Sequence, residues 1–306
     1  MTDTVDRSTD KRNFLSALVV AMRPRQWAKN VLVFAAPLAA GQLFVPDILL
    51  PSIGAFVAFC LISSATYLIN DVRDIEADRA HPRKSARPIP AGDLPVPAAV
   101  TAAVVLAASS LVLSAFISLA LLGVIVAYAV FTLSYSLGLK HEPVIELALL
   151  ALGFLLRAIA GGAASGLPIS QWFLIVAGFG SLFMAAGKRY SELDRFEREG
   201  NNDDDSPKRK SLDGYTLGYL RFVWGVAAAV TITSYCLWAF DVAETPSSFP
   251  WAEWSVLPFV LAILRYGVSV DRGNAEAPED TALRDRVLLL LGLAWLILFG
   301  LGALGV

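Results

Sequence analysis

The segment from Tyr67 to Gly92, YLINDVRDIEADRAHPRKSARPIPAG, has residue types and a spacing that suit cation binding. At about 100° per residue, Asn70, Asp74 and Asp78 follow one another round a helix in steps of roughly 40°. Asp71 lies about 20° beyond Asp78, so four oxygen-bearing side chains share one helix face. Because neighbouring carboxylates repel one another, this arrangement indicates that a cation lies among them.

The ligand types in this segment, a carboxamide and several carboxylates, suit a hard ion such as Mg²⁺. Mg²⁺ commonly shares its ligand shell with substrate phosphates, so the pattern indicates a phosphorylated or pyrophosphorylated ligand. Basic residues that can bind the remaining phosphate oxygens follow directly, namely His81, Arg83, Lys84 and Arg87. The alternative interpretation is a solvated, charged helix end followed by a cytoplasmic basic loop, which membrane proteins commonly have.

A second group of phosphate-binding residue types precedes the first apolar segment, in the octet RPRQWAKN at positions 23–30. Its candidate donors to phosphate are Arg23, Arg25, Lys29 and Asn30, and Trp27 is typical of a membrane interface. Lys140, in a later loop, is a further candidate. The alternative is that these basic residues only mark the inner face of the membrane.

A similar change from apolar to charged residues occurs at positions 187–197, GKRYSELDRFE. Tyr190, Asp194 and Glu197 share one helix face at positions i, i+4 and i+7. Asp194 follows Asp74 by 120 positions. This spacing favours two related four-helix halves that present polar helix ends to one cavity. Coincidence of two charged loops is the alternative.

The composition indicates which kind of scaffold carries these segments. Hydrophobic residues make up 56% of the 306 residues, charged residues only 17%, and the mean hydropathy is +0.59. These values exclude an ordinary soluble domain and predict an all-α, polytopic membrane protein. No nucleic-acid-binding signature is present in the sequence. Cys60 and Cys236 lie in apolar segments without a pairing pattern, so we interpret them as small core side chains.

About nine apolar segments have a length suited to crossing a bilayer. They lie at 29–46, 51–70, 95–114, 117–137, 143–161, 170–187, 216–240, 255–268 and 285–305. The eighth is short, and the first is interrupted by Pro37 and Gly41. They predict one transmembrane catalytic domain over residues 14–306, with two four-helix halves and a ninth helix, after a disordered tail at residues 1–13. The predicted outer loops contain no Lys or Arg. By the positive-inside rule, the N-terminus and the candidate site are therefore cytoplasmic.

Arg157 is an exception, since it lies inside the fifth predicted span. At about 1.5 Å per residue it is roughly 20 Å beyond Pro143, past the membrane midplane and far from the cytoplasmic motifs. Intramembrane cations are usually functional or paired. We expect a structural role for Arg157, with hydrogen bonds to backbone carbonyls near Gly161 and Gly162.

The motif NDxxDxxxD after the second span, with a further polar motif after the sixth, resembles the UbiA superfamily of intramembrane prenyltransferases over essentially the whole chain. The segments RPRQWAKN, NDVRDIEADRAHPRKSARPI, LKHEPVIE and GKRYSEL are similar to a narrower group, the polyprenyl-phosphate phosphoribosyltransferases. This resemblance implies a UbiA-like bundle with cytoplasmic caps in the plasma membrane. It also implies Mg²⁺-dependent transfer of 5-phosphoribose from phosphoribosyl pyrophosphate (PRPP) to decaprenyl phosphate or another polyprenyl phosphate. The product would lead to arabinose donors for cell-wall arabinan.

The resemblance also implies roles for individual residues. Asn70, Asp74 and Asp78 are expected to be catalytic. Asn70 and Asp74 are the first expected Mg²⁺ ligands, and Asp71 joins Asp78 as a further ligand or as a holder of metal-bound water. The residues expected to contact PRPP or the lipid phosphate are Lys29, Asn30, Arg83, Lys84, Arg87, Tyr135, Lys140, Lys188, Arg189, Tyr190 and Asp194. The lipid tail is expected to lie along apolar helix faces that open sideways to the membrane.

The second polar motif departs from the pattern of the superfamily. Members that act on prenyl diphosphates usually carry a second DxxxD, whereas this chain has Tyr190 at the first of these positions and Asp194 at the second. The change indicates an altered second metal site and a donor other than a prenyl diphosphate. Two other functions are left open: a prenyltransferase that joins a polyprenyl diphosphate to an aromatic ring, and a transporter with paired halves. Homo-oligomerisation is also left open.

Overall fold

The computed structural model of the chain describes residues 13–82, 84–139, 142–199, 212, 214–242, 249–275, 281 and 283–304. Within these residues every regular element is a helix, as the composition predicted. Eight of the described helices are long and apolar enough to cross a membrane. The chain is therefore an all-α, multi-pass membrane protein.

The helices alternate in direction through the bundle. In chain order they are α1 (Phe14–Met22), α2 (Ala35–Ala39), α3 (Pro46–Arg73), α4 (Ile75–Ala80), α5 (Pro88–Ala91), α6 (Val96–Ile117), α7 (Leu119–Leu137), α8 (Ile145–Ser165), α9 (Gln171–Glu199), α10 (Leu217–Val242), α11 (Trp251–Asp271) and α12 (Arg286–Leu304). Two 3₁₀ helices, Pro24–Phe34 and Lys84–Ala86, complete the described helical elements. Because consecutive spans run in opposite directions, α3, α7, α9 and α11 all end on one face of the bundle, and α12 starts there.

The first predicted span, residues 29–46, is not a continuous helix. A 3₁₀ helix over Pro24–Phe34 leads into the short α2, and α3 starts only at Pro46. Gly161 of α8 lets this backbone pack closely, since a Cβ at that position would lie 2.1 Å from the carbonyl oxygen of Val33. Irregular backbone at membrane depth is tolerated where protein surrounds it, and here α3 and α8 pack against it.

Three buried apolar clusters form the interior. The first, around Phe183 and Tyr266, joins α9, α10 and α11. The second, around Phe59 and Leu156, joins α3, α7 and α8. The third, around Leu68, joins α1, α3, α5 and α6. Many large apolar side chains on the outer helix faces are exposed, as expected for surfaces that contact lipid.

Arg157 in α8 is buried, and three groups hold its guanidinium. Its Nε donates to Asn30 Oδ1 at 2.8 Å, and its Nη2 donates to the Tyr128 hydroxyl at 2.7 Å. Its Nη1 donates to the carbonyl of Gly153 at 2.6 Å. The expected structural hydrogen bonding is therefore confirmed, but the predicted carbonyl partners near the end of α8 were wrong. Helical side chains point back towards the N-terminus, so Arg157 reaches the preceding turn rather than the following one.

Candidate active site

The predicted metal motif lies where α3 ends. Arg73 is the last residue of α3, Asp74 has φ −92° and ψ 15°, and α4 begins at Ile75. The Asp74 amide donates to the Asn70 carbonyl at 2.9 Å, and the Asp78 amide donates to the Asp74 carbonyl at 2.8 Å. These bonds continue the helical pattern through the junction. The helical course that the sequence predicted from Asn70 to Asp78 is therefore nearly retained.

Two carboxylates of this motif, Asp71 and Asp78, are buried and bridged by one guanidinium. The two residues are 1% and 2% exposed. Nη1 of Arg87 lies 3.1 Å from Asp71 Oδ1 and 2.5 Å from Asp78 Oδ2. Arg23 forms a further ion pair with Asp71, and Lys84 Nζ lies 3.5 Å from Asp78 Oδ1. The charges of three cations therefore offset the cost of burying two carboxylates.

This cluster gives the basic residues partners that the sequence did not predict. Lys84 and Arg87 were expected to meet phosphate, and Arg23 was a further candidate. In the structure all three contact carboxylates of the metal motif. The guanidinium of Arg87 lies between Asp71 and Asp78, and the predicted metal ion among the carboxylates stays a prediction. Contact with phosphate stays a prediction for these residues, and Arg83 and Lys140 lie outside the described residues.

Asn70 and Asp74 remain partly exposed at the end of α3. Within the described part of the chain, no three His, Cys, Asp or Glu side chains are gathered to hold a metal ion. One carboxamide and one carboxylate nonetheless fit Mg²⁺, which is usually bound by one or two protein oxygens, with water and substrate phosphates completing its shell. The donor set therefore fits an ion shared with a phosphorylated ligand, and not one held by protein alone.

The second polar motif is built around a buried cation. Arg189 of α9 donates from Nε to Glu146 Oε1 at 2.8 Å and from Nη2 to the Tyr135 hydroxyl at 3.0 Å. Its Nη1 forms an ion pair with Glu192. The Tyr215 hydroxyl lies 3.4 Å from Glu146 Oε2. Burial raises the pKa of Tyr215 to about 12, so the hydroxyl is a proton donor to this carboxylate at neutral pH.

Tyr190 and Asp194 are both buried, and each lies beside an arginine. The Tyr190 hydroxyl accepts a hydrogen bond from Nη2 of Arg221 at 2.7 Å. Asp194 Oδ2 lies 3.0 Å from Nη2 of Arg198. Asp194 also packs against Gly273, where φ is +73° and a Cβ would lie 2.3 Å from Asp194 Oδ2. A phenol bonded to an arginine therefore occupies the place of the first carboxylate of a DxxxD motif.

The C-terminal end of α7 connects the two polar motifs. Nη1 of Arg73 donates to the carbonyl of Ser136. The neighbouring Tyr135 donates to Glu146 at 3.3 Å and accepts from Arg189. The two motifs therefore lie on either side of this helix end, on one face of the bundle. The predicted substrate contact Tyr135 is placed between them.

Lys29 and Asn30, predicted as substrate contacts, are bonded within the protein. Lys29 Nζ donates to Gln26 Oε1 at 2.7 Å. Asn30 is fully buried, its Oδ1 accepts from Arg157, and its Nδ2 lies 3.3 Å from Cys60 Sγ. The observed bonds of Asn30 are structural, because they tie the 3₁₀ helix to α3 and α8. Its contact with a substrate stays a prediction.

Glu146 is the residue of this region that sequence analysis missed. It is fully buried at the start of α8 and forms an ion pair with Arg189, as Glu192 also does. A signal was present, since a single carboxylate in the first turn of an apolar span is usually functional or paired. Lys188, a predicted substrate contact, lies beside this network with its Nζ 3.9 Å from Glu192.

An apolar cavity of about 430 Å³ lies between α2, α8, α9, α10, α11 and α12. Its walls are aromatic and aliphatic and include Trp172 and Trp295. Along α9 the cavity extends to Met184, one helical turn before Lys188. A long apolar ligand in this cavity would therefore end close to the second polar motif.

The membrane bundle carries two polar motifs on one face, and an apolar cavity reaches towards them. This arrangement is typical of an intramembrane enzyme for lipid substrates. The UbiA prenyltransferase family matches residues 30–289. This match covers most of the chain, which therefore belongs to the UbiA prenyltransferase family.

Individual relatives agree with this assignment. The chain is 51% identical over 289 residues to decaprenyl-phosphate phosphoribosyltransferase of Corynebacterium glutamicum, covering 93% of this chain and 86% of that protein. It is 50% identical over 292 residues to the Mycobacterium tuberculosis protein of the same name, with 94% of each chain covered. A solved structure of a UbiA homolog from Archaeoglobus fulgidus, bound to GPP and Mg²⁺, matches with a TM-score of 0.66. That match covers 95% of this chain and 100% of the homolog at 18% identity, and it shows a shared fold.

Proposed function

We propose that this protein transfers 5-phosphoribose from PRPP to decaprenyl phosphate or another polyprenyl phosphate and releases pyrophosphate. The proposal rests mainly on sequence identity. About half of the aligned residues are identical, over nearly the whole chain, to those of relatives named decaprenyl-phosphate phosphoribosyltransferase. The combination of phosphate-binding residue types with an apolar cavity also supports it, because the donor is polar and the acceptor is a lipid. The product would be a precursor of arabinose donors for cell-wall arabinan.

The reaction would take place at the cytoplasmic face of the plasma membrane. Both polar motifs lie at helix ends on one face, and the predicted outer loops carry no Lys or Arg. By the positive-inside rule, the face with the polar motifs is the cytoplasmic one. The water-soluble donor PRPP would reach the site from that side, and the lipid would reach it from within the membrane.

The first polar motif would bind the pyrophosphate of PRPP together with Mg²⁺. Asn70 and Asp74 are the partly exposed oxygen donors and would hold the ion, which when bound stabilises the negative charge of the departing pyrophosphate. Arg87 ties Asp71 to Asp78 and so keeps the end of α3 and the start of α4 in fixed relation. Asp71 and Asp78 would act by positioning the motif or by holding water near the ion.

The transfer itself requires little proton chemistry from the protein. The bond between ribose C1 and the pyrophosphate oxygen breaks, and its electron pair leaves with the pyrophosphate. A phosphate oxygen of the lipid then bonds to C1. No strong base is needed, because a phosphate monoester is already an anion near neutral pH. Lys188 would supply positive charge for the anionic oxygens, which is the main catalytic contribution expected from side chains here. Arg189 is paired with Glu146 and Glu192 and would hold the carboxylates beside Lys188 in place.

The lipid tail would enter the apolar cavity between α9 and its neighbours. This cavity ends one turn before Lys188, so a tail lying in it would bring the lipid phosphate to the second polar motif. The first motif would then hold the donor and the second motif the acceptor. Such an arrangement places the two substrates on either side of the α7 end, where Tyr135 lies.

The direct test combines the purified full-length protein with Mg²⁺, PRPP and decaprenyl phosphate. We expect phosphoribosylated lipid and pyrophosphate in equal amounts. EDTA should abolish turnover, and excess Mg²⁺ should restore it, if the pyrophosphate leaves with the ion as proposed.

Two control reactions separate this function from its rivals. PRPP without lipid should release no pyrophosphate beyond background. A polyprenyl diphosphate with an aromatic acid should give no product. Prenylation of the aromatic acid, or solute flux into proteoliposomes without phosphoribosyl transfer, would overturn the proposal.

A further inference from the structure

Besides the apolar cavity, a polar cavity lies on the same face of the bundle as the two motifs. It is formed by residues outside those motifs. It has a volume of about 800 Å³ and lies between the ends of α9 and α11 and the start of α12. Its described walls carry the arginines Arg195, Arg265, Arg284 and Arg286. We call this cavity the arginine groove. It contains none of the predicted site residues.

One acid, Asp285, lies among these arginines. Arg265 Nε donates to Asp285 Oδ2 at 2.7 Å, and the amides of Val287 and Leu288 donate to Oδ1 at 2.9 and 3.2 Å. The bond from Arg265, with the two amides, holds the pKa of Asp285 below its ordinary value, so Asp285 is charged at neutral pH. Four arginines against one aspartate leave a formal net charge of +3 among the described lining residues. A cleft with this charge attracts anions.

Neutral hydrogen-bonding groups complete the lining. Ser269 and Asn274 lie along the α11 side, and Thr281 donates from Oγ1 to the Asn274 carbonyl at 2.9 Å. Guanidinium groups bind phosphate with two parallel hydrogen bonds, and hydroxyl and amide groups can satisfy the remaining oxygens. The lining is therefore suited to a phosphate group rather than to a metal ion.

The groove borders the lipid-facing surface of the bundle. Leu264 precedes Arg265 and is 58% exposed. Leu290 lies one turn after Arg286 and is 68% exposed. Exposed leucines on membrane helices are positions where acyl chains pack. A ligand that uses both surfaces must therefore have an anionic head and apolar chains.

We propose that the arginine groove binds the phosphate headgroup of an anionic membrane phospholipid, whose acyl chains lie along α11 and α12. Basic pockets between membrane helices on the side of positive charge bind such headgroups. Arg284 and Arg286 are exposed at the start of α12 and are the arginines best placed to reach the headgroup layer. The inference depends on the membrane fold and not on the proposed transferase activity. Inorganic phosphate and polyprenyl phosphate share the headgroup chemistry, so the experiment must separate them from a phospholipid.

Native mass spectrometry of the full-length protein in detergent tests this binding. Dioleoyl phosphatidylglycerol is titrated into the wild type and into the double variant Arg284→Gln/Arg286→Gln. Two cations lost at a membrane surface should raise the apparent Kd for this lipid at least tenfold. The double variant with lysine at both positions keeps the charge and should retain most of the affinity.

Arg272→Gln is the matched control variant. Arg272 is an exposed arginine at the end of α11 that does not line the groove, so its loss should leave phosphatidylglycerol binding unchanged. Dioleoyl phosphatidylcholine, which has no net charge, should bind at least tenfold more weakly to the wild type. A Tm equal to that of the wild type would show that the glutamine double variant is folded. If its Tm is lower, the comparison of the lysine double variant with Arg286→Gln decides the question.

Four outcomes would overturn the proposal. The first is equal affinity for the two phospholipids, which indicates apolar contact only. The second is an equal loss of affinity in Arg272→Gln, which indicates a general surface-charge effect. The third is displacement of phosphatidylglycerol by an equal concentration of inorganic phosphate, which indicates a site for a free anion. The fourth is tenfold preference for decaprenyl phosphate, which assigns the groove to the acceptor lipid.

Discussion

The two polar motifs lie on one face of the bundle, yet their charges are arranged in opposite ways. In the first motif, Asp71 and Asp78 are buried and cations surround them. In the second motif, Arg189 is buried and carboxylates surround it. The first motif leaves Asn70 and Asp74 partly exposed, whereas in the second the buried Tyr190 accepts a hydrogen bond from Arg221.

This difference indicates that the two motifs are not two copies of one metal site. Burying an unpaired charge is costly, so each buried charge here has partners of opposite sign. In the first motif the buried charges are carboxylates, and in the second the buried charge is a guanidinium. Carboxylates with exposed oxygen donors suit a metal ion shared with pyrophosphate. Lys188, one turn beyond the apolar cavity, suits the oxygens of an anion, whereas Arg189 is already paired with Glu146 and Glu192. The comparison favours the donor at the first motif and the lipid phosphate at the second.

The strongest test replaces one aspartate of each motif in turn. Asp74→Ala should lower kcat/KM for PRPP at least 10²-fold, the effect of removing a key electrostatic group. Asp194→Ala should lower it by less than about tenfold, because Asp194 is paired with Arg198 rather than exposed as a metal donor. Initial rates of phosphoribosyl-lipid formation measure both effects. Equal losses in the two variants would contradict the assignment of different roles to the two motifs.

Helix α9, which carries the second motif, also lines the apolar cavity. Filling this cavity tests whether it holds the lipid tail. Gly180→Leu has room at Cβ, since the nearest atom is Thr231 Cγ2 at 3.8 Å, and the rest of the side chain enters the cavity. We expect kcat/KM for decaprenyl phosphate to fall by about tenfold, because overfilling costs roughly 1–3 kcal/mol. Geranyl phosphate, with its short tail, should be much less affected.

Gly178→Leu is the matched control for the cavity. It adds the same side chain to the same helix, with Leu155 as the nearest neighbour at 3.9 Å, but Gly178 does not line the cavity. Its activity with both lipids should stay near that of the wild type. A loss in Gly178→Leu as large as in Gly180→Leu would mean that α9 tolerates no leucine there, and would remove the support for a tail site.

The buried cation of the second motif gives a stability prediction. Glu146→Gln should destabilise the protein by about 3 kcal/mol, because it removes the buried carboxylate of the pair and leaves Arg189 with Glu192 alone. Glu192→Gln should cost less, since the Glu192 side chain is 15% exposed against 1% for Glu146. Thermal unfolding in detergent gives the two Tm values. Adding Arg189→Gln to Glu146→Gln should recover part of the loss, and no recovery would mean that packing, not charge, is responsible.

Tyr215 gives the smallest expected effect, at alkaline pH. Its pKa is raised by burial from an ordinary 10.0 to about 12, so the folded protein keeps a proton that the unfolded chain loses. Stability should therefore be unaffected below pH 10 and should fall as the pH rises from about 10 to about 12. Tyr215→Phe should show a shallower decline of Tm in this window. Identical slopes would indicate that Tyr215 is solvated and does not support Glu146.

Much of the fold could be predicted from sequence because its signals are local. Eight of the nine predicted spans are long helices, since an apolar run of sufficient length has few alternatives in a membrane. The interruption of the first span was predictable from Pro37 and Gly41, but its 3₁₀ course was not, because that course depends on the close approach of Val33 to Gly161, which lies far away in the sequence. The helical course from Asn70 to Asp78 was also predictable, since hydrogen bonding over four residues determines it.

By itself, then, the sequence determined that this protein is a membrane-spanning helical bundle, which residues carry charge, and at which helix ends they lie. Only the tertiary structure decided which charges meet. Arg87 reaches back to Asp71 and Asp78, and Glu146 meets Arg189 across 43 positions. Hydrophobic length and helical periodicity are properties of a local segment, whereas an ion pair depends on how distant segments pack, and its strength depends on the burial that this packing creates.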